Sequence, residues 1–469
     1  VSNDALPQDV LTPAEVAADY MAASDAHRSE RGRRLKLSVV SALLTKPLAL
    51  IVPIITVRLF LQYLGEERYG LYQAIGAVAL WFGLTNAGLG MGLINRLADC
   101  YVSNDRELAQ RYVSSIVIAL GAIMLGVTLL LGLITPFVDW NGFFNVRDPL
   151  ALRETALAVF VAGAVTLVGI WLSVTNCIYT AYQEMHRGNL WDATARIVML
   201  GACVAIVYTS WGLVGVILAA SGAALVVRAV NMGWLFAVEK PWLRPRLRSF
   251  DFTLLKRVAA EGICFFVLQM AVMALFQTDK VIISARLDPA EVTPYSTYGQ
   301  VFISGYGLFM LMLSPLWPAH AEALRRGDIA WVKRMLRWSL LAGCGTILLV
   351  GALLLVAGKP LVRMWVGRDI GYSSSLIVAL TLLFALRAWV DCRSVILNSA
   401  RVLVPQMVFF AAHAISNIIL ALILAKRWGA EGVAWATVIT SLFTSAWGYP
   451  WMIRKYVWKQ PDRFLVPPS

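Results

Sequence analysis

An all-α polytopic membrane protein, with about twelve transmembrane helices in two parallel six-helix lobes around a central cavity, is the fold class this chain predicts. Three observations carry it. Only 15% of the 469 residues are charged, and mean hydropathy is +0.68; a water-soluble domain carries about 25% charged residues. Apolar blocks recur along the chain, many reaching the ~20 residues needed to cross a hydrocarbon core. They are continuous, whereas strands of a membrane barrel would alternate apolar and polar over ~10 residues. Finally, two stretches of the first half return in the second at nearly constant spacing.

Residues 1–35 are polar and Ala-rich and read as a cytoplasmic arm. Thr12-Pro-Ala-Glu15 is a capping box with proline at the first helical position, which predicts a short surface helix from Pro13 toward Arg28. Apolar blocks follow at about 37–62, 71–95, 112–137, 153–180, 190–209 and 213–237, giving a first lobe over 36–238. The first block starts near Leu37 and is too long for a cleavable signal, so it is expected as a span. A basic connector occupies 239–257, with Lys240, Arg244, Arg246, Arg248, Lys256 and Arg257. Further blocks at about 258–286, 294–318, 332–357, 375–399, 402–425 and 431–453 make a second lobe over 258–455, followed by a cytoplasmic tail at 456–469.

Charge orients this arrangement. With the N-terminus inside and the blocks alternating, 25 basic residues fall in inner segments and 9 in outer ones. Lysine and arginine collect on the cytoplasmic side of membrane proteins, so both termini are expected in the cytoplasm and the protein in the cytoplasmic membrane. The same rule accounts for the net charge of +13 without a nucleic-acid partner.

The internal repeat supports the two lobes. Asp105-Arg-Glu-Leu-Ala-Gln-Arg111 returns as Asp328-Ile-Ala-Trp-Val-Lys-Arg334, and Trp211-Gly-Leu-Val-Gly-Val216 as Trp428-Gly-Ala-Glu-Gly-Val433. The offsets are 223 and 217 residues. Six helices per copy leave both copies facing the same way, the parallel-repeat arrangement of many transporters.

Enzyme chemistry finds no footing. The six cysteines form no C-x-x-C pair, and neither G-x-S-x-G nor H-E-x-x-H occurs. No large loop holds paired carboxylates, which disfavours a membrane glycosyltransferase or polymerase. No catalytic residue, metal site or cofactor is expected. Gly88, Gly90 and Gly92 resemble part of a nucleotide loop, but no strand precedes them, and a close helix contact through Gly88 and Gly92 is the better reading.

The informative residues are charges inside apolar blocks: Lys46, Arg58, Arg196, Arg228, Lys280, Arg387 and Arg393, with Asp192, Glu261, Asp279 and Asp391. Each costs at least ~2.5–3.5 kcal/mol at the bilayer centre unless it meets water or a partner. Asp192 with Arg196, and Arg387 with Asp391, are four apart on one helix and read as structural pairs. Arg58, near the outer end of its helix, either reaches the interface or lines the path. Lys46 lies ten residues into the first block with no acid within a turn. Arg228 and Glu261, at comparable depth, face a cavity or form an interhelical salt bridge. Asp279 and Lys280 are adjacent, about 100° apart around a helix, and need not pair. The basic surplus suits an anionic substrate, with lysine or arginine on phosphate oxygens; a pump for cationic drugs would show the opposite sign. Lys46, Arg58, Arg228 and Lys280 are therefore the candidate substrate residues, and Glu261 and Asp279 the candidate carboxylates for a coupling cation. Pro47, Pro53, Pro315 and Pro318 bend corresponding helices of the two copies, as a rocking transporter would need.

The run from Leu37 through Arg58 and Tyr63-Leu-Gly-Glu-Glu-Arg-Tyr-Gly-Leu-Tyr72 resembles the opening of the polysaccharide-biosynthesis, Wzx-like oligosaccharide flippases. These belong to the multidrug/oligosaccharidyl-lipid/polysaccharide exporter superfamily. Ser249-Phe-Asp251 with Leu254-Leu-Lys256, Asp279 with Val281-Ile-Ile-Ser284, Tyr295 to Tyr298 and Pro315 to Asp328 resemble its second lobe. The resemblance covers the chain beyond residue 34. It implies a two-lobed bundle moving a polyprenyl-pyrophosphate-linked oligosaccharide from the inner to the outer leaflet, with Lys46, Arg58, Glu261, Asp279 and Lys280 along the path. It also implies membrane lipids, a polysaccharide polymerase and glycosyltransferases as partners. The rival within the superfamily is a cation-coupled multidrug antiporter.

Overall fold

A computed structural model of the chain describes residues 51–83, 88–313, 316–325, 327–400, 402 and 404–459, with scattered positions between 37 and 48. The N-terminal arm, Lys46, Pro315, Arg401 and the end of the tail lie outside the described residues, as does the side chain of Glu261.

The described residues form helices and turns, with no strand among them. The first half holds α1 (Ile51–Leu64), α2 (Glu66–Trp81), α3 (Leu89–Ser103), α4 (Arg106–Ile134), the short α5 (Trp140–Phe144), α6 (Pro149–Leu172), α7 (Val174–Ala181) and α8 (Met185–Ile206). A rod over 212–239 completes it, running from α9 (Gly212–Ile217) through α10 (Ala223–Trp234) with a π-helical turn after each. The second half holds α11 (Phe252–Arg286), α12 (Pro289–Leu313), α13 (Leu316–Arg325), α14 (Ile329–Val366), α15 (Ser374–Ser399), α16 (Val404–Phe443) and α17 (Ser445–Ile453).

Among the described residues, seven helical stretches are long and apolar enough to cross a membrane. The last, Val404–Trp458, breaks at Gly429 (φ 61°, ψ −146°). Asn417 and Thr437 hydrogen-bond across that break, although twenty residues of straight helix would separate them by ~30 Å. The stretch therefore doubles back. Exposed leucines and valines line its companions, among them Leu133 on α4 and Val356 on α14, which is 88% exposed. In water such patches would drive association; in lipid they are at home.

Helices extend beyond their apolar blocks because hydropathy marks the lipid-facing part, while the hydrogen-bond ladder runs on to a cap. The second helix starts at Glu66 rather than 71, with Glu66 and Glu67 in its first turn, where acids complement the helix dipole. Asp251 accepts from the Thr253 and Leu254 N–H groups and starts α11 at Phe252 rather than 258. Helix α14 is 38 residues long, not the expected 26 or so.

Both repeat matches fold alike. Asn104 and Gly327 take positive φ (54° and 73°), and the following Asp105 and Asp328 cap α4 and α14 through the Leu108 and Trp331 N–H groups. Gly212 and Gly429 take φ of 60° and 61°.

The basic connector is folded onto the first half. It makes short 3-10 turns at Pro241–Leu243 and Leu247–Ser249. Ser114 Oγ accepts from the Arg246 N–H, Ser115 Oγ from the Asp251 N–H, and Arg111 pairs with Asp251 at 2.7 Å. Lys240 is buried against Glu184 at 3.1 Å and sits 4.3 Å from the Tyr182 ring centre. Burial pulls the Lys240 ammonium below its ordinary pKa, while Glu184 opposes the shift.

Three apolar cores show how the halves meet. One contains Phe60, Leu71 and Phe144 of the first half with Ile283, Val292 and Val366 of the second. These lie toward the end of the bundle away from the connector. Toward the connector end the cores separate: Leu97, Val113, Ile178 and Leu243 form one with the start of α11, and Leu324, Val332, Ile396 and Met452 another. Contacts across the halves follow suit. At the far end Gln62 Nε2 donates to the Val366 carbonyl at 3.1 Å, Thr293 Oγ1 to the Glu66 carbonyl at 2.7 Å, and Arg147 pairs with Asp288 at 3.6 Å. A methyl on Gly70 would overlap the Pro289 carbonyl, so α2 and α12 touch backbone to backbone. Gly92 meets the Val258 carbonyl in the same way, which bears out the expected close helix contact at that residue.

Candidate functional site

Lys280 comes from α11 of the second half and enters a cavity of about 240 Å³ walled largely by the first half. Tyr72 and Gln73 of α2, Thr166 of α6, Ser221 of the 212–239 rod and Gln277 of α11 line it. Lys280 Nζ donates to Gln73 Oε1 at 3.0 Å, and Gln73 Nε2 donates to the Tyr69 hydroxyl at 2.7 Å. One ammonium hydrogen is thus held by a neutral amide, with no carboxylate in the lining. Seven helical residues place Lys280 ~9 Å from Arg286 at the far end of its helix.

Arg228 borders a second cavity, of about 410 Å³, between α6, α8 and the 212–239 rod. Thr166 and Ser221 line both cavities, so the two adjoin. Arg228 Nε is buried without a hydrogen-bond partner. Arg196 and Asp192 line the same space but make no ion pair with each other, contrary to the sequence expectation. Four-residue spacing puts two side chains on one face, and here both border the cavity without closing an ion pair. The second expected pair does form: Arg387 Nε lies 3.8 Å from Asp391 Oδ2, Tyr306 donates to the same carboxylate, and Arg387 stacks 4.5 Å from the Tyr306 ring centre.

Asp279 turns the other way from Lys280. It is 4% exposed in the second half, where Tyr295 of α12 donates to Oδ2 at 2.8 Å. Thr437 Oγ1 is 3.4 Å from the same oxygen and 3.0 Å from Asn417 Oδ1. A hydroxyl has one hydrogen, so it serves one of the two at a time. Asp279 Oδ1 and Asn417 Nδ2 are left without partners. Carboxylate, amide and hydroxyl oxygens converging from α11, α12 and the two arms of α16 are the donor types that hard monovalent or divalent cations take.

Arg58 is exposed on α1. Sequence reasoning missed Gln73, Tyr295, Asn417 and Thr437, whose signal is polar character in otherwise apolar helices. It also set Arg196 aside as paired.

A helical membrane bundle of two repeated halves, with charged cavities within it, has the architecture of a transporter. The chain belongs to the polysaccharide biosynthesis protein family, which matches residues 36–323. It is 22% identical over 421 residues to a putative O-antigen transporter of Salmonella typhi, covering 87% of this chain and 94% of that one. A putative O-antigen export protein of Yersinia pseudotuberculosis is 22% identical over 413 residues, covering 86% and 92%. Among solved structures, an inward-facing multidrug resistance MATE family transporter of the MOP superfamily is similar with a TM-score of 0.75 at 15% identity, over 91% of this chain and 99% of that one. The lipid II flippase MurJ in an inward closed conformation is similar at 0.69 and 15% identity, over 91% and 89%. At these identities the structures speak to the fold.

Proposed function

We propose that the protein is a flippase that carries a polyprenyl-pyrophosphate-linked oligosaccharide from the inner to the outer leaflet of the cytoplasmic membrane by alternating access, for cell-surface polysaccharide assembly. Its lobes are 36–238 and 258–455, with the connector at 239–257 and both termini on the cytoplasmic side. The sugar and diphosphate enter the basic cavities while the prenyl tail stays in lipid. The path runs past Lys46 and Arg58 of the first helix and past Arg228 and Lys280. Asp279, or Glu261 nearer the start of the same helix, binds a sodium ion or proton whose gradient drives the cycle. Glycosyltransferases supply the substrate, and a polymerase takes the product.

The observation that carries this reading is Lys280, a cation from one half set into the membrane-embedded cavity of the other beside amides and hydroxyls. Its charge and that of Arg228 attract phosphate oxygens, and the surrounding Gln73 and Gln277 offer the paired donors and acceptors that sugar hydroxyls use. The MATE-like fold keeps a multidrug antiporter as the second reading, but cationic drugs would be repelled by these walls. The test is translocation of a labelled polyprenyl-pyrophosphate-linked sugar by proteoliposomes. Lys280→Ala is expected to slow transport on the order of tenfold, matching about 1.4 kcal/mol of lost binding. Wild-type rate in that variant removes Lys280 from the path, and export of drugs but not of the lipid by the wild-type protein moves the chain to the antiporters.

A further inference from the structure

We propose that Arg196 and Arg228 form the seat for the substrate's diphosphate, at the wall between α6, α8 and the 212–239 rod. This rests on the flippase reading above. Arg196 was expected to form an ion pair with Asp192, and the two, though lining one cavity, form none; Arg228 keeps a buried Nε with no partner. An unsatisfied guanidinium in a low-dielectric wall is costly, and both border one cavity of about 410 Å³. That is within the range of small-molecule sites.

Charge decides what fits. Arg196, Arg228 and the adjoining Lys280 face the two cavities with Asp192 as the one carboxylate among their linings, a net charge of +2. A diphosphate esterified at both ends, by a prenyl chain and by a sugar, has one ionised oxygen on each phosphorus and carries two negative charges. Guanidinium forks match its geminal oxygens two at a time. The Thr166 and Ser221 hydroxyls, shared by both cavities, stand where the diphosphate would continue into the sugar. The Lys280 cavity, with Gln73, Gln277 and Tyr72, then receives the first sugar.

Binding to the purified full chain tests this, with farnesyl diphosphate, farnesyl monophosphate and inorganic pyrophosphate as probes. Wild type is expected to bind farnesyl diphosphate at least ~10-fold tighter than the monophosphate. Arg196→Gln and Arg228→Gln should each abolish that preference, and Arg196→Lys should restore part of it at unchanged thermal stability. Pyrophosphate competing with farnesyl diphosphate places recognition in the diphosphate itself; failure to compete at millimolar levels assigns the affinity to the prenyl tail and overturns the seat. A wild-type preference retained in either glutamine variant overturns it as well. If those variants also translocate lipid-linked sugar at the wild-type rate, the seat is wrong while the flippase reading stands. If wild type translocates none, the failure lies in that reading.

Discussion

Asp279 and Lys280 are consecutive, yet they serve opposite walls. A helix turns about 100° per residue, so the lysine enters the first half's cavity while the carboxylate enters a buried polar cluster of the second. The charges themselves were legible in the sequence, because an ionisable group in an apolar run stands out. Their partners were not: Gln73, Asn417 and Thr437 are neutral, and no local spacing ties Asp279 to residues 138 and 158 positions away. The same limit explains Arg196, since four-residue spacing permits a pair but cannot reveal whether one forms. Asp279→Asn keeps an acceptor for the Tyr295 hydroxyl while removing the charge. It should leave the fold intact and cut sodium- or proton-driven transport on the order of tenfold or more, the scale of a lost charged ligand. Measuring translocation with and without an imposed ion gradient checks this; an unchanged gradient dependence excludes Asp279 as the coupling carboxylate.

Among the elements, α11 shows how far composition reaches. Its apolar block was visible, but its start was set by Asp251, seven residues earlier, which receives the Thr253 and Leu254 N–H groups and the Arg111 guanidinium. Those backbone donors, followed by Arg111, hold the carboxyl below the usual range. A depressed folded-state value means the cap stabilises the native state above the ordinary carboxylate range near pH 4, and the contribution is lost as pH falls through the lowered value. Thermal unfolding in detergent should therefore separate wild type from Asp251→Asn at neutral pH, with the two converging as pH falls through the lowered value. A difference independent of pH would show that the ionised carboxylate is not what anchors the helix. The repeat pairs were legible as words and matched as structure: Gly212 and Gly429 both take a positive φ, and Asp105 and Asp328 share one capping role. The far end of α14 ends on a signal that hydropathy does not read: Gly367 takes φ 86° and gives its N–H to the Arg363 carbonyl.

At the scale of the whole molecule, the halves share a core at the far end, while toward the connector only the start of α11 packs into the first half's core and the rest of the second half keeps its own. Alternating access requires that the far-end seam, with Arg147–Asp288, Gln62–Val366 and Thr293–Glu66, part while the connector ends approach. The fold class and the approximate order of helices were legible from apolar blocks and charge bias. The seam was not, because it joins residues some 140 to 300 positions apart, one contact an ion pair and the others amide or hydroxyl donors on backbone carbonyls, with no local spacing to tie them. The most direct measurement is translocation of a labelled polyprenyl-pyrophosphate-linked oligosaccharide in proteoliposomes holding an Arg147→Cys/Asp288→Cys protein with the six native cysteines replaced by alanine. The lipid should cross when the thiols are free, stop crossing when a short bifunctional thiol reagent bridges the seam, and cross again with a cleavable bridge reduced. Transport no faster than in protein-free vesicles, or transport indifferent to the bridge, would contradict a flippase that works by opening this seam.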